Sequence, residues 1–216
     1  MKTTIYMIRH GQSVGNARRD FLGHTDLPIT KLGEEQALSA AAYLASVGFS
    51  PDAVYASPLC RAAKTTELAL SQVTAPPPVY LDGLREIFAG EWENKSFEEL
   101  DEKYPEERYL WHEDIGRACP VGGEAVKDLY GRVVSTVLTI AKNHPGETVF
   151  IGTHATPIRA TETYARGMSA DMMATVPWPT NASLSVYTFD GERLLSVAYS
   201  YDDFLKSDGE EKRLNY

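Results

Sequence analysis

Thr3-Thr4-Ile5-Tyr6-Met7-Ile8-Arg9-His10-Gly11-Gln12-Ser13 is the stretch on which the fold turns. Its apolar half, Ile5 to Ile8, is short and carries β-branched residues, the mark of a buried strand. The strand runs straight into Arg9-His10-Gly11, so a guanidinium and an imidazole stand where a sheet strand ends. Open α/β sheets collect their ligands at the carboxyl ends of their strands. Arg9 and His10 are therefore the first candidates for a site.

Three more runs resemble the first: Ala53 to Ala56, Val79 to Leu81 and Val149 to Ile151. Each is bounded by turn residues, as in the fully covered strands of a mostly parallel sheet. Helical patterns separate them. Thr30 is placed to cap a helix with apolar positions Leu32, Ala37, Ala41 and Leu44 that ends near Gly48. Ser57-Pro58 is expected to open another, with the proline in the first turn. A longer one is expected from about Glu124 to Lys142, with Val126, Leu129, Val133, Val137 and Ile140 on one stripe, stopped by His144-Pro145-Gly146. Strands alternating with helices predict an α/β fold of three layers, α/β/α, around a mostly parallel sheet. Ala182 to Phe189 alternates, Asp190-Gly191 is a hairpin signal, and Leu194 to Tyr199 comes next, so antiparallel strands are expected at one edge. Residues 87–120, aromatic and acidic without a strand signal, read as short helices capping the carboxyl edge of the sheet. The expectation is one domain over 1–205 with that cap as an insertion, and a loosely ordered polar tail over 206–216.

Composition narrows the function. The chain has 216 residues, 43% hydrophobic and 24% charged, in line with a globular domain, and no apolar run long enough for a membrane span. Met1-Lys2-Thr3-Thr4 enters the first strand without a signal-peptide pattern, so a cytoplasmic location is expected. A formal charge of −9 argues against nucleic acid as a partner. Cys60 and Cys119 have no Cys-x-x-Cys spacing and read as free thiols, with a bridge between them left open. No segment resembles a dimer seam, and the oligomeric state stays open.

Arg61, Glu86 and His154 each come after one of the later strands, in the order His10, Arg61, Glu86, His154 along the chain. A neutral imidazole attacks phosphorus well, and guanidinium groups nearby both favour that neutral form and bind the anion. Arg61 at a helix start can grip phosphate oxygens in a bidentate fork. A carboxyl at Glu86 can protonate a leaving alkoxide and later take a proton from water. Thr153 is expected to cap the next helix with Pro157 in its first turn, leaving His154 and the N–H groups of Ala155 and Thr156 facing an anion. Asn16 is a neutral donor to a substrate oxygen, and Gly11 and Ala155 complete the candidate substrate-binding set. Taken singly, each of these residues has an ordinary structural explanation. Together, after four successive strands, they describe a phosphoryl-transfer site that works by positioning and charge. His24, His112 and His144 lack the short spacing of a zinc site, so neither a catalytic metal nor a cofactor is expected.

With these pieces assembled, the chain resembles the histidine phosphatase superfamily, which includes the cofactor-dependent phosphoglycerate mutases. The likeness runs from Ile5 to about Tyr199. It rests on Arg9-His10-Gly11, Asn16, the stretch Gly23 to Thr30 with Gly33 and Gln36-Ala37, Ser57-Pro58-Leu59-Cys60-Arg61-Ala62 with Thr65-Thr66, Leu84-Arg85-Glu86-Ile87 with Gly90 and Trp92-Glu93, Gly122-Gly123-Glu124, and Thr153-His154. The resemblance implies that His10 becomes phosphorylated, that Arg9, Arg61 and His154 hold the phosphoryl oxygens, and that Glu86 exchanges the proton. Arg85 to Glu93 is similar to the phosphatase branch rather than the mutases. The activity expected is therefore metal-independent hydrolysis of a small phosphomonoester, with mutase-type transfer and non-catalytic phospho-ligand binding as the alternatives. Asp20, Leu22 and Ala155-Thr156 depart from the residues common in relatives. Phe88, Trp92, Tyr109, Trp111 and His112 are the aromatic residues available to line the cap.

Overall fold

The computed structural model describes residues 1–205. The tail reading for 206–216 lies outside the described residues. Strand β1 (Thr3–Arg9) leads through a short helix α1 (Val14–Arg18) and strand β2 (Asp20–Phe21) to helix α2 (Lys31–Ser46), then β3 (Ala53–Ala56), α3 (Cys60–Ala69) and β4 (Val79–Tyr80). Strand β5 (Lys95–Ser96) and helices α4 (Phe97–Lys103) and α5 (Pro105–Glu113) come next, then α6 (Val126–Asn143), β6 (Thr148–Thr153), α7 (Ala155–Ala165), β7 (Leu184–Phe189) and β8 (Leu194–Tyr201). The main sheet has the order β4-β3-β6-β1-β7-β8, parallel from β4 to β1 and antiparallel beyond it.

The layers arise from the period of two along the strands. Ile5, Met7, Val149 and Ile151 pack in one core with Val126, Leu129, Val133 and Val137 of α6 and Ile158 of α7. The intervening residues, Ile8 and Phe150, pack in a second core with Ala40 and Leu44 of α2 and Ala69 of α3. Helices α2 and α3 thus cover one face, α6 and α7 the other. The change of face falls between the connections out of β3 and into β6, and it opens a crevice at the carboxyl ends of β1, β3 and β6.

Four local expectations are corrected. Helix α3 begins at Cys60, after Pro58, because Ser57 is still engaged with the sheet: its N–H bonds the Gly152 carbonyl at 2.9 Å. Asp26 Oδ1 accepts the Cys60 N–H at 2.7 Å and starts the helix instead. Thr153 does not cap α7: it is the last residue of β6, and its hydroxyl donates to the Leu84 carbonyl at 2.7 Å. Regular pairing of β7 begins at Leu184, because Ala182 takes a left-handed φ of 57° while its N–H bonds the carbonyls of Arg9 and His10. The segment between Glu86 and α6 contains β5, which pairs antiparallel with β2 through Asp20–Ser96 and Phe21–Lys95.

Close packing of α3 on the sheet depends on one glycine. A Cβ at Gly152 would lie 1.7 Å from Thr66 Oγ1, which is itself bonded to the Ala62 carbonyl. Gly152→Ala is therefore expected to cost at least about 2 kcal/mol through overpacking. Urea unfolding measures it, and Thr66→Ala in the same chain should recover part of the loss. An unchanged midpoint for Gly152→Ala would contradict this packing.

Candidate active site

His10 stands one residue beyond β1, and its N–H bonds the Thr153 carbonyl at 3.0 Å, extending the β1–β6 ladder. His154, one residue beyond β6, meets it with ring centroids 5.3 Å apart, edge to face. The strand register thus brings two histidines 144 positions apart into contact.

Their protonation is set by their partners. His10 Nδ1 lies 2.8 Å from the Gly11 carbonyl, which can only accept, so Nδ1 carries the hydrogen and Nε2 keeps its lone pair. Burial, then the charges of Arg61 and Arg9, hold His10 well below its ordinary value of 6.5. The ring is neutral at neutral pH. Burial and Arg61 depress His154 likewise. Its Nε2 is 2.8 Å from Ser57 Oγ, while its Nδ1 is buried without a partner among the described residues.

Arg61, in the first turn of α3, is 1% exposed and donates to the carbonyls of Thr25 at 2.9 Å and Gly23 at 2.7 Å. That loop is fastened by Glu93, which accepts from the His24 N–H and the Thr25 hydroxyl, both at 2.8 Å. Thr65 ties the same helix to the histidine loop, accepting the Gly11 N–H at 3.0 Å. Beside Arg61, burial and Asp26 push the Cys60 thiol up to about 11, so it stays a thiol.

Glu86 comes after a turn of 3₁₀ helix, Asp82–Leu84. Its carboxylate accepts the Ile87 N–H at 2.9 Å and the Thr156 N–H, at the start of α7, at 3.3 Å. Arg132 holds the backbone in place by donating to the carbonyls of Gly83, Arg85 and Glu86, and is itself paired with Glu124 at 2.7 Å.

Of the residues singled out from the sequence, His10, Asn16, Arg61, Glu86 and Ala155 line a single cleft of about 380 Å³ that is open to solvent. Arg9, Gly11 and His154 do not line it and instead flank His10. Arg9 is buried and donates to the Pro179 carbonyl. Asn16 Oδ1 accepts from the N–H and hydroxyl of Ser13. Among the aromatic residues named for the cap, only Trp111 lines the cleft: Trp92 is in the core, Phe88 and Tyr109 are exposed, and His112 pairs with Arg108. The cleft also contains Trp178, Phe21 and Ser13, and it is supported by Ser57, Thr65 and Glu93. Sequence reasoning missed these roles. Only Ser57, Thr65 and Glu93 had any signal, as members of the motifs that carry the family resemblance. Among the described residues, no group of three or more histidine, cysteine, aspartate or glutamate side chains is placed to hold a metal ion. Cys60 and Cys119 are both free, and among the described residues no helix is long and apolar enough to cross a membrane.

Comparison with known proteins points the same way. The profile of the histidine phosphatase superfamily (branch 1) matches residues 5–202. The chain belongs to this family. It is 28% identical over 201 residues to a 2,3-bisphosphoglycerate-dependent phosphoglycerate mutase of Bartonella quintana, covering 91% of this chain and 97% of the relative. It is 30% identical over 156 residues to phosphoserine phosphatase 1 of Hydrogenobacter thermophilus, covering 72% of each. Among solved structures, Bacillus stearothermophilus YhfR superposes with a TM-score of 0.87 at 27% identity, over 94% of this chain and 100% of that one. This member of the superfamily therefore has both mutases and phosphatases among its relatives.

Proposed function

We propose that this histidine phosphatase hydrolyses small phosphomonoesters without a metal, through a phosphorylated His10. The observation that carries the reading is a neutral His10, with its Nε2 lone pair available, in one cleft with the Arg61 guanidinium and the Glu86 carboxyl. Arg61 and the Ala155 N–H at the start of α7 attract the phosphoryl oxygens, whereas the Thr156 N–H, also expected to face an anion, is taken by Glu86. His154 backs His10 from outside the cleft: with the Ser57 hydroxyl donating to Nε2, its proton rests on the buried Nδ1 and the ring stays neutral. Arg9, flanking His10, keeps it deprotonated and adds positive charge.

In the first half-reaction, Nε2 of His10 forms a bond to phosphorus while the ester P–O bond breaks and Glu86 gives its proton to the departing oxygen. In the second, a water oxygen attacks phosphorus, the N–P bond breaks, and Glu86 takes the water's proton. Phosphatase and mutase share the first half and differ in what accepts the phosphoryl group. The run Arg85 to Glu93 and the residues lining the cleft support water.

The test is phosphate release from a panel of monoesters in the presence of EDTA, with an alkaline quench to preserve a phosphoramidate on His10. The expected result is release that survives the chelator and an acid-labile, base-stable phosphoenzyme. Loss of all release on chelation would overturn the metal-free reading. Interconversion of phosphoglycerates dependent on a doubly phosphorylated primer would instead make the protein a mutase.

A further inference from the structure

The far wall of the cleft differs in chemistry from its floor. The floor comes from the carboxyl edge of the sheet: His10, Arg61, Glu86, Ala155 and Thr156. The wall comes from β2, α5 and the loop before β7, as Phe21, Leu22, Trp111 and Trp178, together with Asp20. Phe21 and Trp111 meet edge to face at 4.9 Å, and Trp111 stacks on Trp178 at 5.9 Å and 30°, so the aromatic side is one packed unit. Its rings are held in place before any ligand arrives, which favours an apolar or ring-bearing group.

Asp20 is the one charged residue on this wall. Its backbone is paired with Ser96, but among the described residues its carboxylate makes no hydrogen bond or ion pair. Of the cations next to it in the chain, Arg19 pairs with Glu98 at 3.5 Å and Arg18 does not line the cleft. No lysine lines the cleft, and Arg61 is its one arginine among the described residues. A substrate that brought a second anion would thus find Asp20 facing it and, among the described residues, no further cation to balance the charge.

We infer that the cleft selects phosphomonoesters whose alcohol part is apolar or aromatic and free of negative charge, with Asp20 as the residue that turns anionic alcohols away. This rests on the phosphatase reading above. Selectivity here is repulsion as much as attraction: the aromatic wall accepts many alcohols, and the Asp20 carboxylate removes the carboxylated ones.

Phenyl phosphate and 4-carboxyphenyl phosphate test it, because they have similar leaving groups and differ in one distant charge. Wild type should favour the phenyl ester in kcat/KM by about tenfold, and that ratio should shrink as added salt screens the repulsion. Asp20→Asn should bring the ratio close to one, and Asp20→Arg should reverse it. Equal or better turnover of the carboxylated ester by wild type, or a ratio unmoved by Asp20→Asn and by salt, would overturn the inference. If neither ester is hydrolysed, the phosphatase reading falls and takes this one with it. If phenyl phosphate is hydrolysed in a His10-dependent way without discrimination, only the selectivity falls.

Discussion

His10→Ala should lower phosphate release by about ten-thousand-fold or more and abolish the acid-labile phosphoenzyme, because no other group in the cleft can take the place of Nε2. His154 is the nearest imidazole, but one of its nitrogens is held by Ser57 and the ring does not line the cleft. Cys60, beside Arg61, stays a thiol near neutral pH. The fold should survive, since the contact that positions residue 10, its N–H to the Thr153 carbonyl, is made by backbone. Residual release above that level, or a phosphoenzyme that persists in the variant, would transfer the nucleophile elsewhere. A pH measurement separates this from simple damage to the site. Folded His10 resists protonation while the unfolded chain takes a proton near 6.5, so the unfolded state binds more protons below that value. The group therefore costs stability as pH falls below 6.5, and the cost grows until its depressed folded pKa is reached. Urea unfolding at about pH 7 and about pH 5 should show a smaller acid loss for His10→Ala than for wild type.

The parts of this site that were legible in the sequence are those held by strands. β1, β3 and β6 are short, apolar and bounded by turn residues, and the residue that ends each one is fixed by the ladder. His10, Arg61 and His154 could be found by looking beyond these buried runs, whereas Glu86 follows the edge strand β4, expected to be buried, whose Val79 and Tyr80 are exposed. The parts that escaped depend on partners far away in the chain. β2 and β5 are two residues each, too short to carry a period, and exist because they pair with each other. The start of α3 moved because Ser57 is committed to Gly152 and His154, contacts no local propensity contains. Trp92 and Trp111 give the same aromatic signal from the same segment, yet one is sealed in the core and the other lines the cleft. Trp178 lies in a loop with no pattern at all. Supporting residues such as Glu93 and Thr65 act on the loop that holds Arg61 and on Gly11 through bonds that only the folded chain brings together.

Glu86→Gln should divide substrates by the quality of their leaving group. Glutamine keeps the shape and one acceptor oxygen, so it can hold either the Ile87 or the Thr156 N–H, though not both as the carboxylate does. What it cannot do is give up a proton or take one. For an alkyl monoester, whose alkoxide is a poor leaving group, breaking the P–O bond then slows by about a hundred- to ten-thousand-fold. For 4-nitrophenyl phosphate the departing phenolate needs no proton, so His10 should still be phosphorylated at a rate close to that of wild type. The second half-reaction still requires a proton to leave the attacking water, and it should become rate-limiting. Rapid mixing should therefore reveal a burst of nitrophenolate equal to the enzyme present, then slow turnover, with the phosphoenzyme accumulating. Equal losses on alkyl and nitrophenyl esters with no burst would mean that Glu86 shapes the cleft through its two backbone contacts and moves no proton. The same geometry supports both roles, since the carboxylate that touches Thr156 at the start of α7 also lines the cleft with His10. Only the dependence on the leaving group separates them.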